Sequence, residues 1–206
     1  MRIAFIVNSF PNLSETFILN QVIELIKRGH DVKVYSLYKG NIKQHNLYKE
    51  HNLKKNVQYI FNESEQNKLK RVLYFPILFF KKNRKIKYKK LLETFNFRKY
   101  GSSSFSLMMA YAYLRILETK NFDVIHCQFG PLGLFGMKLK KLGLLRGKLF
   151  TSFRGYDTTA RIKRNPNIYN ELYEYGDGFL PVSQSLKKRL IENGCPAEKI
   201  KVYYSG

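Results

Sequence analysis

The sequence predicts an α/β domain: a doubly wound, Rossmann-like parallel sheet with helices on both faces. Three observations predict it. Ile3 to Val7 is an unbroken apolar run, the mark of a strand buried on both sides. Behind it Ile18, Val22, Leu25 and Ile26 recur at helical spacing, and a second apolar run, Val32 to Ser36, completes a βαβ unit, which implies a parallel sheet. The same alternation resumes after residue 120.

Taken in order, the first strand runs straight into Asn8-Ser9-Phe10-Pro11-Asn12-Leu13-Ser14-Glu15-Thr16, and a helix opens behind it. Lys27-Arg28-Gly29 is a helix-ending signature. Asp123 to Cys127 reads as a strand, Gly130 to Leu142 as a helix, and Lys148 to Phe153 as a strand. Tyr169 to Tyr175 reads as a helix and Gly178 to Val182 as a strand. Ser183 caps a helix running to about Asn193, with Gly194 past its end, and Lys201 to Tyr204 begins one more strand.

Residues 39 to 100 break this rhythm and read as a basic, aromatic insertion within one domain spanning 1 to 206. There the apolar run Val72 to Phe80 lies directly against the Lys- and Arg-dense stretch 81 to 90. The run is interrupted by Pro76 and is far shorter than the roughly 20 residues that span a bilayer. The N-terminal apolar run is also too short for a secretory signal. Two cysteines, Cys127 and Cys195, give neither a disulfide framework nor metal-ligand spacing, so both thiols are expected reduced and no metal is expected.

The formal net charge of +22 points to an anionic partner. An apolar wedge beside a polybasic patch is the two-signal pattern of peripheral binding to anionic lipid, which nominates Phe75, Phe79, Phe80, Lys81, Lys82, Arg84, Lys85, Lys87, Lys89 and Lys90. The competing reading is a solvated basic face. Nucleic acid attracts the same charges, but no zinc-finger, RRM-like or basic-zipper pattern accompanies them, so it is not expected as a partner.

In open parallel sheets ligands sit outside the carboxyl ends of the strands. Three segments lie there. Asn8 to Thr16 offers hydroxyls and backbone N–H groups to an anion or a sugar; it reads equally as an ordinary helix start capped by Ser14. In His126-Cys127-Gln128-Phe129-Gly130-Pro131-Leu132-Gly133, a His and a Gln precede small residues that would let a ligand come close, though a single His is commonly a satisfied structural group. In Thr151-Ser152-Phe153-Arg154-Gly155-Tyr156-Asp157, Arg154 can bind phosphate or carboxylate and Asp157 can accept from hydroxyls; an Arg154–Asp157 salt bridge is the alternative.

The opening NSFPNLSETFILNQVIELIKRGHDVKVY, then DVIHCQFG, TSFRGYD and DGFLPVSQSLKKRLIENGCPAEKIKVYYSG, resemble family 4 glycosyltransferases of GT-B fold, more narrowly the bacterial exopolysaccharide and colanic-acid-type enzymes. The resemblance covers residues 1 to about 38 and 121 to 206. It implies retaining transfer of a sugar from a nucleotide sugar, bound as substrate, to a polysaccharide or lipid-linked acceptor, without metal or other cofactor. It further implies two Rossmann-like domains around a cleft, of which this chain resembles the N-terminal, acceptor-binding one. The family's donor-side E-x7-E pattern does not occur in the sequence, so the chain is expected to be inactive without a second, donor-binding domain. The implied location is cytoplasmic, peripheral on the inner face of the cytoplasmic membrane.

Matched residue by residue, the resemblance nominates His126 and Arg154 as catalytic. It nominates Ser9, Phe10, Pro11, Ser14, Glu15, Thr16, Gln128, Phe129, Gly130, Gly155 and Asp157 as acceptor- and phosphate-side contacts. Gln128 stands where the family has a second His, and Arg154 where many relatives have His in F-H-G-x-D. Neither replacement is a proton shuttle at neutral pH. The alternative is a non-catalytic α/β module that docks on an anionic membrane or nucleic acid through its basic middle.

Overall fold

The computed structural model describes residues 1–41, 46–82 and 86–204. Among the described residues one sheet has six strands: β1 (Arg2–Phe10), β2 (Asp31–Lys39), β3 (Val57–Tyr59), β4 (Lys120–Cys127), β5 (Leu145–Phe153) and β6 (Gly178–Pro181). All pairings are parallel and the order is β3-β2-β1-β4-β5-β6. The order reverses between β1 and β4, the place where such sheets open a crevice.

The described α-helices are α1 (Thr16–Lys27), α2 (Asn46–Glu50), α3 (Lys68–Lys82), α4 (Tyr88–Glu93), α5 (Phe97–Tyr100), α6 (Ser102–Phe105), α7 (Met108–Ile116), α8 (Gly130–Lys141), α9 (Ile162–Arg164), α10 (Asn170–Tyr175) and α11 (Gln184–Glu192). Two cores flank the sheet. Ile3, Phe5 and Val7 of β1 meet Ile18, Leu19 and Val22 of α1 on one face. Ala4 and Ile6 turn to the other face, toward α7 and α8. This period-two split of an all-apolar strand is what burial on both faces requires.

The alternation read from the sequence is present, with longer strands. β1 continues through Ser9 and Phe10, so the expected loop is shorter than Asn8 to Thr16. The Lys201–Tyr204 strand is not formed. Lys201 and Tyr203 donate to the Phe179 and Pro181 carbonyls of β6, and only Phe179 and Ile200 make a bridge, too few bonds for a ladder. Both thiols are free and buried.

The middle region is part of the core. Met109 through Leu114 of α7 are all buried, so that helix needs cover on two sides, the sheet on one and the insertion on the other. Leu78, Ile86, Leu91 and Tyr100 belong to the same core. The α7 hydroxyls fix the cover in place: Tyr111 donates to the Arg71 carbonyl (2.8 Å) and Tyr113 accepts from the Lys87 N–H (2.6 Å). Arg71, buried, lies 3.7 Å over the Phe61 ring and donates to the Glu65, Gln66 and Ser106 carbonyls and to the Tyr38 hydroxyl. Arg115 grips both Glu65 carboxylate oxygens at 2.9 Å.

This packing corrects part of the nominated membrane set. Phe75 and Phe79 turn inward against the core, Phe75 onto Tyr111 and Phe95. Lys90 donates to the Gly143 carbonyl at 3.2 Å, and Lys82 is half-buried. Phe80, Lys81, Lys87 and Lys89 are exposed as expected, and Arg84 and Lys85 lie outside the described residues.

Candidate functional site

At the carboxyl edge of β1, Asn12 organises the turn. Its side chain accepts from the Ser14 N–H (3.4 Å) and hydroxyl (3.2 Å) and donates to the Ser9 hydroxyl (3.2 Å). Asn12, not Ser14, therefore caps the 3-10 turn Leu13–Glu15, and α1 starts at Thr16 with no side-chain cap from Glu15. Thr16 is exposed. Gly40 is required beside this turn because a Cβ there would stand 1.8 Å from the Pro11 carbonyl oxygen.

Phe10 and Pro11 are buried, with the Phe10 ring in the core 6.1 Å from Tyr48. The nomination of Phe10 as a ligand contact is thereby corrected: an inward side chain at the end of a strand packs and does not reach the edge.

Six of the nominated residues line two cavities: Glu15, Phe129 and Asp157 one, and His126, Gln128 and Arg154 the other. A cleft of about 620 Å³ at the sheet edge is lined by Asn8, Glu15, Phe129, Pro131, Asp157 and Arg161, with Ser102, Ser103 and Lys138 from neighbouring elements. A groove of about 500 Å³ runs along α1 and is lined by Phe17, Gln21, His126, Gln128, Ser152 and Arg154. Arg154 lies next to Phe129, which lines the cleft. Its guanidinium is stacked over Phe17 (4.2 Å) and Phe129 (4.9 Å) and donates to the Gln128 carbonyl (2.6 Å) and Oε1 (3.4 Å). Gln128, itself buried, passes the chain on to Gln21 Oε1 at 3.0 Å.

His126 and Arg154 thus share the groove, while Glu15, Phe129 and Asp157 share the cleft. The His126 ring is buried against Phe5, with Nε2 2.8 Å from the Ser152 hydroxyl. Burial, reinforced by the Arg154 charge, pulls its pKa down to about 4, so the ring is neutral at neutral pH. The neutral His126 imidazole, hydrogen-bonded to Ser152, lines the groove beside Arg154.

Asp157 does not pair with the Arg154 side chain. Its carboxylate accepts the backbone N–H groups of Gly130 (3.2 Å) and Arg154 (3.3 Å), which clamps the start of α8 to the end of β5. Burial raises its pKa, against the lowering effect of those two bonds. The Gly130 N–H is therefore committed to protein. The α8 glycines serve packing where the sequence suggested ligand approach: a Cβ on Gly130, Gly133 or Gly136 would stand 2.5 Å from Tyr169, 2.6 Å from Thr151 or 2.6 Å from Cys127. Gly155 is exposed, and its carbonyl accepts the Thr159 hydroxyl at 2.7 Å.

Two residues of the cleft lining each have a buried side-chain atom, Glu15 Oε2 and Arg161 Nε, with no hydrogen-bond partner among the described residues. Burial raises the Glu15 pKa, with Arg154 acting against it. A carboxylate and a guanidinium side chain over an apolar lining of Phe129, Leu132 and Phe135 suit a ligand rich in hydroxyls. Arg161 was missed in the sequence. The available signal was its position four residues after Asp157 on one helical turn, which places both on the same side. Among the described residues no cluster of three metal-ligating side chains occurs, and no helix is long and apolar enough to cross a membrane.

Comparison with known proteins adds the relationship. Residues 14–206 match the Glycosyltransferase Family 4 profile. The chain is 33% identical to WcaL of Salmonella typhimurium, named for colanic acid biosynthesis as a glycosyltransferase, over all of this chain and 50% of that protein. It is 29% identical to the amylovoran biosynthesis glycosyltransferase AmsK of Erwinia amylovora, over all of this chain and 51% of that one. The chain thus spans about half the length of the curated relatives it matches. Among solved structures, HepE of Anabaena in complex with UDP and glucose superposes with a TM-score of 0.58 at 16% identity, covering 100% of this chain and 44% of HepE. The lipopolysaccharide outer core galactosyltransferase WaaB superposes with a TM-score of 0.51 at 16% identity, covering 99% and 45%. At that identity the likeness is one of fold.

Proposed function

The chain belongs to Glycosyltransferase Family 4, and from that premise we propose that it is the acceptor-side, N-terminal half of a retaining sugar transferase. The enzyme moves a sugar from a nucleotide sugar to a polysaccharide or lipid-linked acceptor in cell-surface glycan synthesis. It works in the cytoplasm, peripherally on the inner face of the cytoplasmic membrane. The donor is held mainly by a second domain, without which this half is inactive. The relatives named for exopolysaccharide synthesis support the reaction class, and the solved complexes of HepE with UDP and with UDP-glucose support the donor class.

The observation that carries the reading is the sheet-edge cleft lined by Glu15 and Arg161 over Phe129. A sugar matches that lining, with hydroxyl protons for the carboxylate and oxygens for the guanidinium. Phe129 offers an apolar face to a pyranose ring. Arg154, next to it, carries the positive charge suited to a departing diphosphate.

The test is sugar transfer by an intact enzyme that contains this chain. Glu15→Ala and Arg154→Ala each remove one charged hydrogen-bonding group, worth about 1.5–3 kcal/mol, and should each lower kcat/KM by roughly tenfold to a hundredfold. Transfer at the unmodified rate in both variants overturns the assignment.

A further inference from the structure

The outer face of α3 is apolar although no described residue covers it. The helix turns Arg71, Phe75, Leu78 and Phe79 toward α7 and the core. On its opposite side Leu69, Leu73, Ile77 and Phe80 are 79%, 72%, 62% and 68% exposed, with exposed Val72 and Pro76 among them. The spacing 69, 73, 77, 80 is one stripe along a helix, so the exposure is continuous and is not a scatter of single residues. Lys68, Lys70 and Lys81 flank the stripe and are exposed. No Asp or Glu occurs between Glu65 and Glu93.

We propose that this face of α3 is a docking surface for an anionic lipid bilayer: the helix lies in the membrane plane, Leu69, Leu73, Ile77 and Phe80 enter the headgroup boundary, and the flanking lysines meet lipid phosphates. The proposal rests on the membrane part of the functional reading and names the element that carries it. The charge decides the occupant. A second copy would bring an equally basic, acid-free face against this one, and the two would repel. Duplex nucleic acid matches the lysines but offers no apolar layer to aliphatic Leu and Ile. A bilayer with acidic headgroups matches both, since the apolar stripe and the basic flank each add affinity and a single signal holds weakly.

The sequence contains no Trp, so a single introduced Trp reports its own surroundings. Ile77→Trp, on the stripe, should shift its fluorescence to the blue when vesicles of phosphatidylglycerol and phosphatidylcholine are added, and should not shift with phosphatidylcholine alone. Ile191→Trp, on the exposed side of α11, should not shift with either. In co-sedimentation with the mixed vesicles, the triple variant Leu73→Ser/Ile77→Ser/Phe80→Ser should lose about tenfold or more in partitioning. Its far-UV circular dichroism should be unchanged, because these side chains leave no cavity.

If the unmodified chain is not retained by the mixed vesicles, the membrane reading and this inference fall together. If it is retained but the triple variant binds equally and Ile77→Trp does not shift, the membrane reading stands and the α3 face is overturned. Retention by duplex DNA alone overturns both.

Discussion

The flanking β/α units and the insertion between β3 and β4 dispose of their apolar residues differently. In the flanks the apolar side chains go inward: α1 buries Ile18, Leu19, Val22 and Ile23, and α8 buries Leu132, Phe135, Met137 and Leu139. In the insertion, α3 buries Arg71 and Leu78 while Leu73, Ile77 and Phe80 face outward. The same insertion closes the core over α7. One segment therefore does two jobs: its inward side chains close the core, and its outward side carries a continuous apolar stripe.

The sharpest way to break this comparison is Arg71→Ala. If the insertion were a loose appendage, the change would cost little. Because Arg71 satisfies three carbonyls and a hydroxyl while stacked on Phe61, its loss should cost about 3–5 kcal/mol, as buried acceptors are left unpaired. Urea denaturation measures it, and a loss below about 1 kcal/mol would show that the insertion does not hold the core.

A matched pair on one helix comes next. Leu78→Ala should cost about 2–5 kcal/mol, and Leu73→Ala, five residues earlier on the outward stripe, less than about 0.5 kcal/mol. Equal losses in thermal unfolding would mean that the two faces of α3 are not differently buried.

The flanks have their own signature in acid. Free histidine protonates near pH 6.5, but buried His126 resists until about pH 4. The folded form therefore binds fewer protons than the unfolded form between those values, and this contribution to stability falls as pH drops from 6.5 toward 4, by about 3 kcal/mol in all. Glu15 and Asp157, whose pKa values burial raises, act in the opposite sense. The measurement is thus the difference between His126→Gln and the unmodified chain in melts from pH 7 to 4.5. The variant should lose less stability on acidification, and parallel curves would mean that His126 is not buried neutral. A small effect is also expected where β2 meets the turn that follows it: Lys39→Ala breaks the exposed ion pair with Glu63 (3.0 Å) and should cost less than about 1 kcal/mol in the same melts.

The candidate site was partly legible. Asn8, Glu15, Phe129 and Asp157 stood in segments that open-sheet geometry placed at strand ends, and the cleft is there. Phe10, His126 and Gly130 lay in the same segments, yet Phe10 packs inward, His126 joins the groove along α1, and the Gly130 N–H is taken by Asp157. A strand-end segment fixes which residues lie near an edge, but side-chain direction alternates along it. Which face is then filled depends on helices far away in the chain.

By itself the sequence determined most strands and helices of the flanks, the parallel sheet and the family resemblance. Those signals are local: buried runs, helical spacing, a Ser183 cap and closing glycines act within a few residues. Only the tertiary structure decided that three-residue β3 extends the sheet, that Phe75 and Phe79 face the core while Leu73 and Ile77 face out, and that six of the nominated site residues line a cleft and a groove. An amphipathic pattern needs one covered face to be readable. On α3 both faces are apolar, so α7, packing from about forty residues away, made the choice.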